Sequence, residues 1–225
     1  QTADHHIRNR YLFNYLIKTA VEVADRNYLV TLGITPTFPS TAYGYIQQGE
    51  PLAGEYRYPV YTVKRFKEKP DEITAQQLLG SGDHSWNSGM FVWRVDTILG
   101  EIEKQMPELF HAIDKIAAAW NTSDRDEVLR SHWQDLKSQT IDYGIMEHAE
   151  HVAVLPAGGL GWSDVGSWDS LFEVLLPDMN GNVASNTQQP LALNTHNTLV
   201  YGTSDQRLIV TIGLDSVVVV DAGDV

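Results

Sequence analysis

The first part of the chain alternates segments of helical and strand-like hydrophobic pattern. In RNRYLFNYLIKTAVEVADRN, which starts at Arg8, five apolar residues recur at helical spacing: Leu12, Tyr15, Leu16, Ala20 and Val23. The apolar run YLVTLGI that follows predicts a short buried strand. After a loop rich in Pro, Thr and Gly, the segment YPVYTVKRFKEKP predicts a second strand. It should end before Pro70, because proline lacks the donor that a strand ladder requires.

The same alternation continues towards residue 180. DEITAQQLLGSG predicts a short helix with Asp71 near its N-terminus and Gly80 or Gly82 past its end. SWNSGMFVWRVD predicts a strand, and the next segment predicts two helices separated at Pro107, since proline inside a helix removes a donor and clashes with the preceding turn. The pattern stays helical to about residue 150, and HVAVLPA predicts another buried strand. This alternation indicates an α/β domain with a mainly parallel or mixed sheet.

The pattern changes from about Gly181 onward. Short β-branched runs, separated by turns such as GTSDQ and GLD, follow one another without a helix between them. They predict consecutive strands, either antiparallel or wound as a rudimentary β-helix. We therefore expect one α/β domain over residues 1–180 and a small β-rich region over residues 181–225.

Composition narrows the classes of partner. The 225 residues carry a formal net charge of -13, from 29 acidic and 16 basic side chains. This balance argues against nucleic acid and anionic membranes as partners, because both attract clustered Lys and Arg. The sequence has no cysteine, which removes thiolate metal sites and thiol nucleophiles and fits a reducing cytoplasm. No apolar run approaches the ~20 residues that span a bilayer.

Four residues could contact a polar ligand. Glu68 and Lys69 lie at a strand end, where a carboxylate could accept from hydroxyls and an ammonium could neutralise a phosphate; a solvated charged turn is the alternative. Asn87, in WNSGMFVW, offers a donor and an acceptor, or is a satisfied residue of a core strand. Gly44 lies between two tyrosines in a loop, either as a turn or where backbone meets a ligand.

Two aspartates could hold a metal ion or cap a helix. Asp164 stands in GWSDVGSWDSLFEVL, just before a predicted helix, and Asp4 precedes the first predicted helix in ADHHIRN. The vicinal His5 and His6 do not complete a zinc set, whereas Mg²⁺, which prefers carboxylate and phosphate oxygens, suits the acidic residues.

A further group of ionisable side chains lies in GIMEHAEH. Glu147, His148 and His151 are interpreted there as a surface helix end rather than as a ligand cluster.

Taken in order, these motifs resemble the mannose-1-phosphate guanylyltransferases. The resemblance rests on ADHHIRN, LVTLGITPTFPSTAYGYI, VKRFKEKPD, WNSGMFVWRVDTIL, IDYGIMEHA, LPAGGLGWSDVGSWDSL and GNV, and extends over essentially the whole chain. It implies a nucleotidyltransferase-type mixed α/β sheet followed by a small β-rich, often β-helical part. It also implies transfer of GMP from GTP to mannose 1-phosphate, with Mg²⁺, to give GDP-mannose and pyrophosphate.

The resemblance also implies roles for the candidate residues. Asp4 and Asp164 correspond to the metal-binding aspartates, which with Lys69 form the catalytic set. Lys69 corresponds to the partner of the sugar phosphate. The remaining sugar-side positions correspond to contacts of the sugar site: Gly44, Glu68 and Asn87.

The sequence departs from the family pattern in two ways. Family members usually have Gly at the position of Ala42, so the sugar loop could differ in shape. The family's N-terminal glycine-rich signature and its base-selecting segment are absent, so we expect little guanylyltransferase activity from these 225 residues alone. Loss of early sheet strands would expose an edge and apolar surface, which favours association, including a homo-oligomer.

Two alternatives stay open from sequence. The first is a nucleotidyltransferase for another hexose 1-phosphate, and the second is a non-catalytic regulatory subunit that binds sugar nucleotides.

Overall fold

The order of helices and strands follows the hydrophobic pattern. The computed structural model describes residues 4–187, 190–203 and 207–224. The strands are β1 (His6–Ile7), β2 (Leu29–Ile34), β3 (Tyr45–Pro51), β4 (Tyr61–Lys67), β5 (His84–Val92), β6 (Val152–Pro156), β7 (Trp162–Ser163), β8 (Val183–Ser185), β9 (Leu191–Leu193), β10 (Leu199–Tyr201), β11 (Val210–Ile212) and β12 (Val218–Val220). The α-helices are α1 (Arg10–Ala24), α2 (Glu72–Ser81), α3 (Val95–Gln105), α4 (Pro107–Ala119), α5 (Arg125–Trp133) and α6 (Ser170–Val174), and a π-helical segment covers Asp142–Met146.

The chain forms two compact units. The first contains Arg8–Leu160, and the second contains residues 4–7 together with the described residues from Gly161 onward. The short strands β1 and β7 therefore both belong to the second unit. The predicted domain boundary at residue 180 stays a prediction.

A mixed five-stranded sheet forms the centre of the first unit. The strands close on themselves in the order β2-β5-β3-β4-β6. β6 runs parallel to β2, while the other neighbours are antiparallel. The expected mixed α/β sheet is confirmed. The expected open edge is wrong for this sheet, because β6 pairs with both β2 and β4.

Local sequence signals set several helix ends. Helix α1 begins after Asn9, whose side chain accepts a hydrogen bond from the Leu12 amide at 3.0 Å. Asp71 caps α2 by accepting from the Thr74 amide at 2.9 Å, and Gly82 ends it in the left-handed conformation, with φ +74°. Pro107 is the first residue of α4, where its missing N–H costs no helical hydrogen bond.

The buried core of the first unit holds the sheet against the π-helical segment. Strand β2 is buried along its whole length. One core cluster joins residues from β2, β3, β4, β6, α3 and the segment itself: Leu29, Ile46, Phe66, Ile98, Ile145, Met146, Val152 and Val154. This packing fixes the segment beside the ends of β3 and β4.

The second unit contains a small parallel solenoid. Strand β10 pairs in parallel with both β8 and β12, and β11 pairs in parallel with β9. The β-helix prediction is thus confirmed, and the antiparallel alternative is wrong. Within the described ranges, no helix combines the length and apolar character required to cross a membrane.

Candidate functional site

Strand pairing in the first unit brings three predicted residues together. Gly44 directly precedes β3, Glu68 directly follows β4, and Asn87 lies within β5. Tyr45 of β3 pairs with both Lys67 and Trp86, so β3 lies between the other two strands. The Asn87 amide donates to the Gly44 carbonyl at 2.7 Å. These contacts place Gly44, Glu68 and Asn87 at one end of the sheet.

Gly44 is required by the close approach of Glu68. A Cβ atom at residue 44 would overlap Oε2 of Glu68 and lie 3.3 Å from the Cβ of Asn87. Because glycine has no Cβ, the Glu68 carboxyl can rest directly against the backbone there.

The side-chain amide of Asn87 is almost fully used inside the protein. Its Oδ1 accepts from the Thr31 hydroxyl at 3.0 Å and from the Gly89 amide at 3.2 Å. Its Nδ2 donates to Oδ1 of Asp142 at 2.9 Å. Since the oxygen has two lone pairs and the nitrogen two hydrogens, one N–H donor is left for a ligand. Asn87 can therefore donate to an acceptor atom of a ligand. Its oxygen is already used by Thr31 and Gly89, so it does not offer the ligand both the donor and the acceptor expected from sequence.

Glu68 is a buried carboxyl with an unsatisfied oxygen. Its side chain is 11% exposed, and Oε2 has no hydrogen-bond partner within the described part of the chain. Burial raises the pKa of Glu68 from its ordinary 4.5 to about 7; Asp142 and Glu147 add to the rise, while Lys69 opposes it. A buried unpaired oxygen costs free energy, so it is a natural contact for a ligand hydroxyl.

Lys69 occupies a strained turn beside this carboxyl. Its φ is +42°, a left-handed value that non-glycine residues seldom adopt. Nζ lies 3.9 Å from Oε1 of Glu68, and the side chain is 59% exposed. Because the side chain is not packed in the core, its ammonium can turn towards a ligand anion. The alternative of a solvated charged turn is therefore wrong for Glu68, whereas Lys69 is exposed.

Two further carboxylates belong to this group and were missed from sequence. Asp142 is partly buried, and burial raises its pKa above the ordinary value. Glu147 accepts the Glu68 backbone amide at 3.1 Å. The interpretation as a surface helix end holds for His148 and His151, which are exposed, but it is wrong for Glu147. The motif IDYGIMEHA was the available signal, although its spacing shows no site without the fold.

The predicted metal residues lie together in the second unit. Strands β1 and β7 are antiparallel, with His6 opposite Ser163. Asp4 lies just before β1 and Asp164 just after β7. Both carboxylates act electrostatically on His5 between them, although burial still lowers the pKa of His5. Nδ1 of His5 accepts from the Trp162 indole at 3.1 Å.

Neither aspartate caps a helix. Helix α6 begins only at Ser170, with Asp169 at its N-cap position, and α1 is capped by Asn9. The Asp164 carboxylate instead lies over Gly166, where a Cβ atom would come within 2.7 Å of Oδ2. The cap alternative is therefore wrong for both aspartates.

The turn that follows Asp164 is strained. Val165 has φ +50°, which is unfavourable for a β-branched residue and costs on the order of 1–3 kcal/mol. Trp168, four residues after Asp164, is 46% exposed and packs edge-on against Tyr201.

The aspartate pair fits Mg²⁺ better than a cation that needs an all-protein cage. Across the described residues, no group of three or more His, Cys, Asp and Glu side chains is arranged to hold a metal. Mg²⁺ is commonly held by one or two carboxylates together with water and substrate phosphates. Two carboxylates at neighbouring strand ends meet that requirement.

Curated relatives align with almost the whole of this chain. A mannose-1-phosphate guanylyltransferase of Klebsiella pneumoniae is 39% identical over 223 residues, which cover 99% of this chain and 46% of that protein. The xanthan biosynthesis protein XanB of Xanthomonas campestris pv. campestris (strain B100) is 38% identical over 226 residues, covering 99% and 45%. The chain thus spans just under half the length of these relatives.

The fold is also found in solved structures. A crystal structure of a mannose-1-phosphate geranyltransferase from Thermus thermophilus matches with a TM-score of 0.83 and 32% identity, covering 99% of this chain and 62% of that one. The family model described as Nucleotidyl transferase matches residues 2–180. That match covers most of the chain and includes the mixed sheet with its clustered polar side chains. This protein therefore belongs to the nucleotidyl transferase family.

Proposed function

We propose that this chain carries the sugar-phosphate site of an enzyme that transfers GMP from GTP to mannose 1-phosphate. The observation that carries the proposal is the buried Oε2 of Glu68, which has no hydrogen-bond partner among the described residues and lies near the Asn87 amide and the exposed ammonium of Lys69. A phosphorylated sugar offers what these groups lack: hydroxyl donors, hydroxyl acceptors and an anion. The names of the guanylyltransferase relatives support the same reaction.

The proposed reaction needs positioning more than a protein nucleophile. A phosphate oxygen of mannose 1-phosphate attacks the α-phosphorus of GTP, a new P–O bond forms, and the bond to the leaving pyrophosphate breaks. Lys69 offsets the charge of the attacking phosphate, Glu68 accepts a sugar hydroxyl, and Asn87 donates to a sugar oxygen. Holding the reactants in line and neutralising charge are the main contributions to phosphoryl-type transfer.

Mg²⁺ completes the proposal as the cofactor. Asp4 and Asp164 are the residues that would hold it, and it would neutralise the phosphate charge during transfer. We also propose that GTP is the nucleotide donor and that the reaction takes place in the cytoplasm, which suits a chain without cysteine. We also propose self-association of the chain, for which the exposed apolar strands of the second unit give the reason developed in the Discussion.

Calorimetric titration of this chain tests the sugar-phosphate site. We expect saturable binding of mannose 1-phosphate, weaker binding of glucose 1-phosphate, and weak binding of unphosphorylated mannose. Lys69→Ala should weaken mannose 1-phosphate binding about tenfold, the size expected for loss of one charge-assisted contact. The matched control is Lys64→Ala, an exposed lysine within β4, which should change nothing.

The titration distinguishes the alternatives. Tighter binding of glucose 1-phosphate would favour another hexose-1-phosphate nucleotidyltransferase. Failure of mannose 1-phosphate to bind, or binding indifferent to Lys69→Ala, would overturn the proposed site. In an enzyme that joins this chain to a base-selecting segment, competition among GTP, ATP, UTP and dTTP for formation of the nucleoside diphosphate mannose then identifies the base.

A further inference from the structure

The π-helical segment Asp142–Met146 connects to two residues of the sugar-side group. At its start, Oδ1 of Asp142 accepts from the Asn87 side chain at 2.9 Å. Just after its end, Oε1 of Glu147 accepts from the Glu68 backbone amide at 3.1 Å. π-helical turns are rare and often occur at functional sites. One short irregular segment and the residue after it therefore accept hydrogen bonds from Glu68, at the end of β4, and from Asn87 of β5.

The π geometry is what allows both ends to act on the same side. In an α-helix, residues five apart point about 140° away from each other, because each residue turns the chain by about 100°. Here the Glu147 amide donates to the Asp142 carbonyl at 3.0 Å, a bond across five residues. That bond places Glu147 one turn beyond Asp142. A regular helix would direct one of the two carboxylates elsewhere.

The segment is also fixed from behind. Ile145 and Met146 are buried in the core cluster of the first unit. A Cβ atom at Gly144 would lie only 2.6 Å from the sulfur of Met106, so this turn packs directly on the end of α3. The backbone that carries both carboxylates is therefore held by the core of the first unit.

The hydrogen bond from Glu147 acts at a strained place. It holds the Glu68 amide immediately before Lys69, whose φ of +42° needs support from its surroundings. Asp142 performs the parallel task for Asn87, since it fixes which face of the amide keeps the free N–H. Loss of the Glu147 bond would remove a restraint on the turn that presents Lys69. Loss of the Asp142 bond would leave the Asn87 amide held only through its oxygen, by Thr31 and Gly89.

We propose that Asp142 and Glu147 are positioning residues of the sugar-phosphate site. Glu147 sets the backbone turn that presents Glu68 and Lys69, and Asp142 orients the amide of Asn87. The inference rests on the proposed function for its ligand. The hydrogen bond from the Glu68 amide to the Glu147 carboxylate, here called the clamp, is present without a ligand and can be measured without one.

Hydrogen exchange tests the clamp directly in this chain. We expect the Glu68 amide to exchange slowly in the wild-type protein and at least tenfold faster in Glu147→Ala. Glu147→Gln keeps an acceptor oxygen and should restore slow exchange, whereas Glu150→Ala, an exposed neighbour paired with Lys104, should have no effect. An equal exchange rate in wild type and Glu147→Ala would overturn the proposal, whether or not a sugar phosphate binds.

Calorimetry with mannose 1-phosphate tests the consequence for binding. Glu147→Ala and Asp142→Ala should each weaken binding about tenfold, with Glu147→Gln and Asp142→Asn within about threefold of wild type. If the alanine variants unfold, the Gln and Asn variants still decide the matter: near-native affinity supports hydrogen-bond positioning, and a tenfold loss overturns it. Absence of binding by the wild type counts against the proposed function, and the exchange result then judges the clamp alone.

Discussion

At the scale of single residues, Gly44 makes the sharpest steric prediction. Gly44→Ala introduces a Cβ that overlaps Oε2 of Glu68, so the carboxyl must move away from the sheet end. We expect at least tenfold weaker binding of mannose 1-phosphate in calorimetry and a loss of about 1–3 kcal/mol in unfolding free energy. Gly80→Ala is the matched control, because no described atom beyond the neighbouring backbone of α2 lies within 4 Å of its added Cβ, and α2 gains a better helix former.

The buried carboxyl of Glu68 makes a prediction about pH. Its pKa is about 7 in the folded chain and near 4.5 when exposed, so between these values the folded state binds more protons. The contribution of Glu68 to stability is therefore lost as pH rises from about 4.5 through 7. In urea unfolding at pH 5, 6, 7 and 8, Glu68→Gln should gain stability relative to wild type as pH rises. A difference that stays constant across this range would show that Glu68 titrates normally.

The same residues show how far sequence alone could go. From the residues alone, a solvated turn was the favoured interpretation of Glu68, and a satisfied core position was as good as a ligand contact for Asn87. Only the order of the motifs favoured a ligand site. Their hydrogen bonds depend on partners 55 and 79 positions away. Such pairs are set by strand register and cannot be obtained from local pattern.

At the scale of elements, the strand pair β1 and β7 carries the metal hypothesis. Mn²⁺ can replace Mg²⁺ as a paramagnetic probe, so it should broaden the amide resonances near Asp4 and Asp164. In Asp164→Asn, at least tenfold more Mn²⁺ should be needed for the same broadening, and the fold should be unchanged. Asp169→Asn, an exposed aspartate of the next helix with no capping bond, is the control. Broadening that survives Asp164→Asn would exclude this carboxylate as a ligand.

The elements also separate what was predictable from what was not. The ends of α2 and the break at Pro107 follow from single residues with strong local preferences, and both were anticipated. The π-helical segment was not, because its five-residue hydrogen bond depends on core packing around Ile145 and Met146. Glu147 was therefore assigned to a surface helix end by a pattern that assumed regular helical spacing.

At the scale of the whole molecule, charge has to be reconciled with the proposed substrates. A chain with a net charge of -13 repels phosphorylated ligands at long range. The ammonium of Lys69 attracts a phosphate only locally, since screening limits charge interactions to about 8–10 Å at ordinary ionic strength. Binding of mannose 1-phosphate therefore depends on close contacts, which is consistent with a site built from preorganised side chains rather than from a basic surface.

The parallel strands β9 and β11 of the second unit expose a row of apolar side chains. Leu191 lies beside Val210 and Leu193 beside Ile212, with exposed fractions between 47% and 66%. Contiguous apolar surface of this kind favours association, and a second copy of the same chain offers a matching apolar row. We expect concentration-dependent dimers in sedimentation velocity. The double change Leu193→Gln and Ile212→Gln should raise the dimer dissociation constant at least tenfold, whereas Ile73→Gln, equally exposed on α2, should leave it unaltered. A chain that stays monomeric at millimolar concentration would show that this apolar row does not mediate self-association.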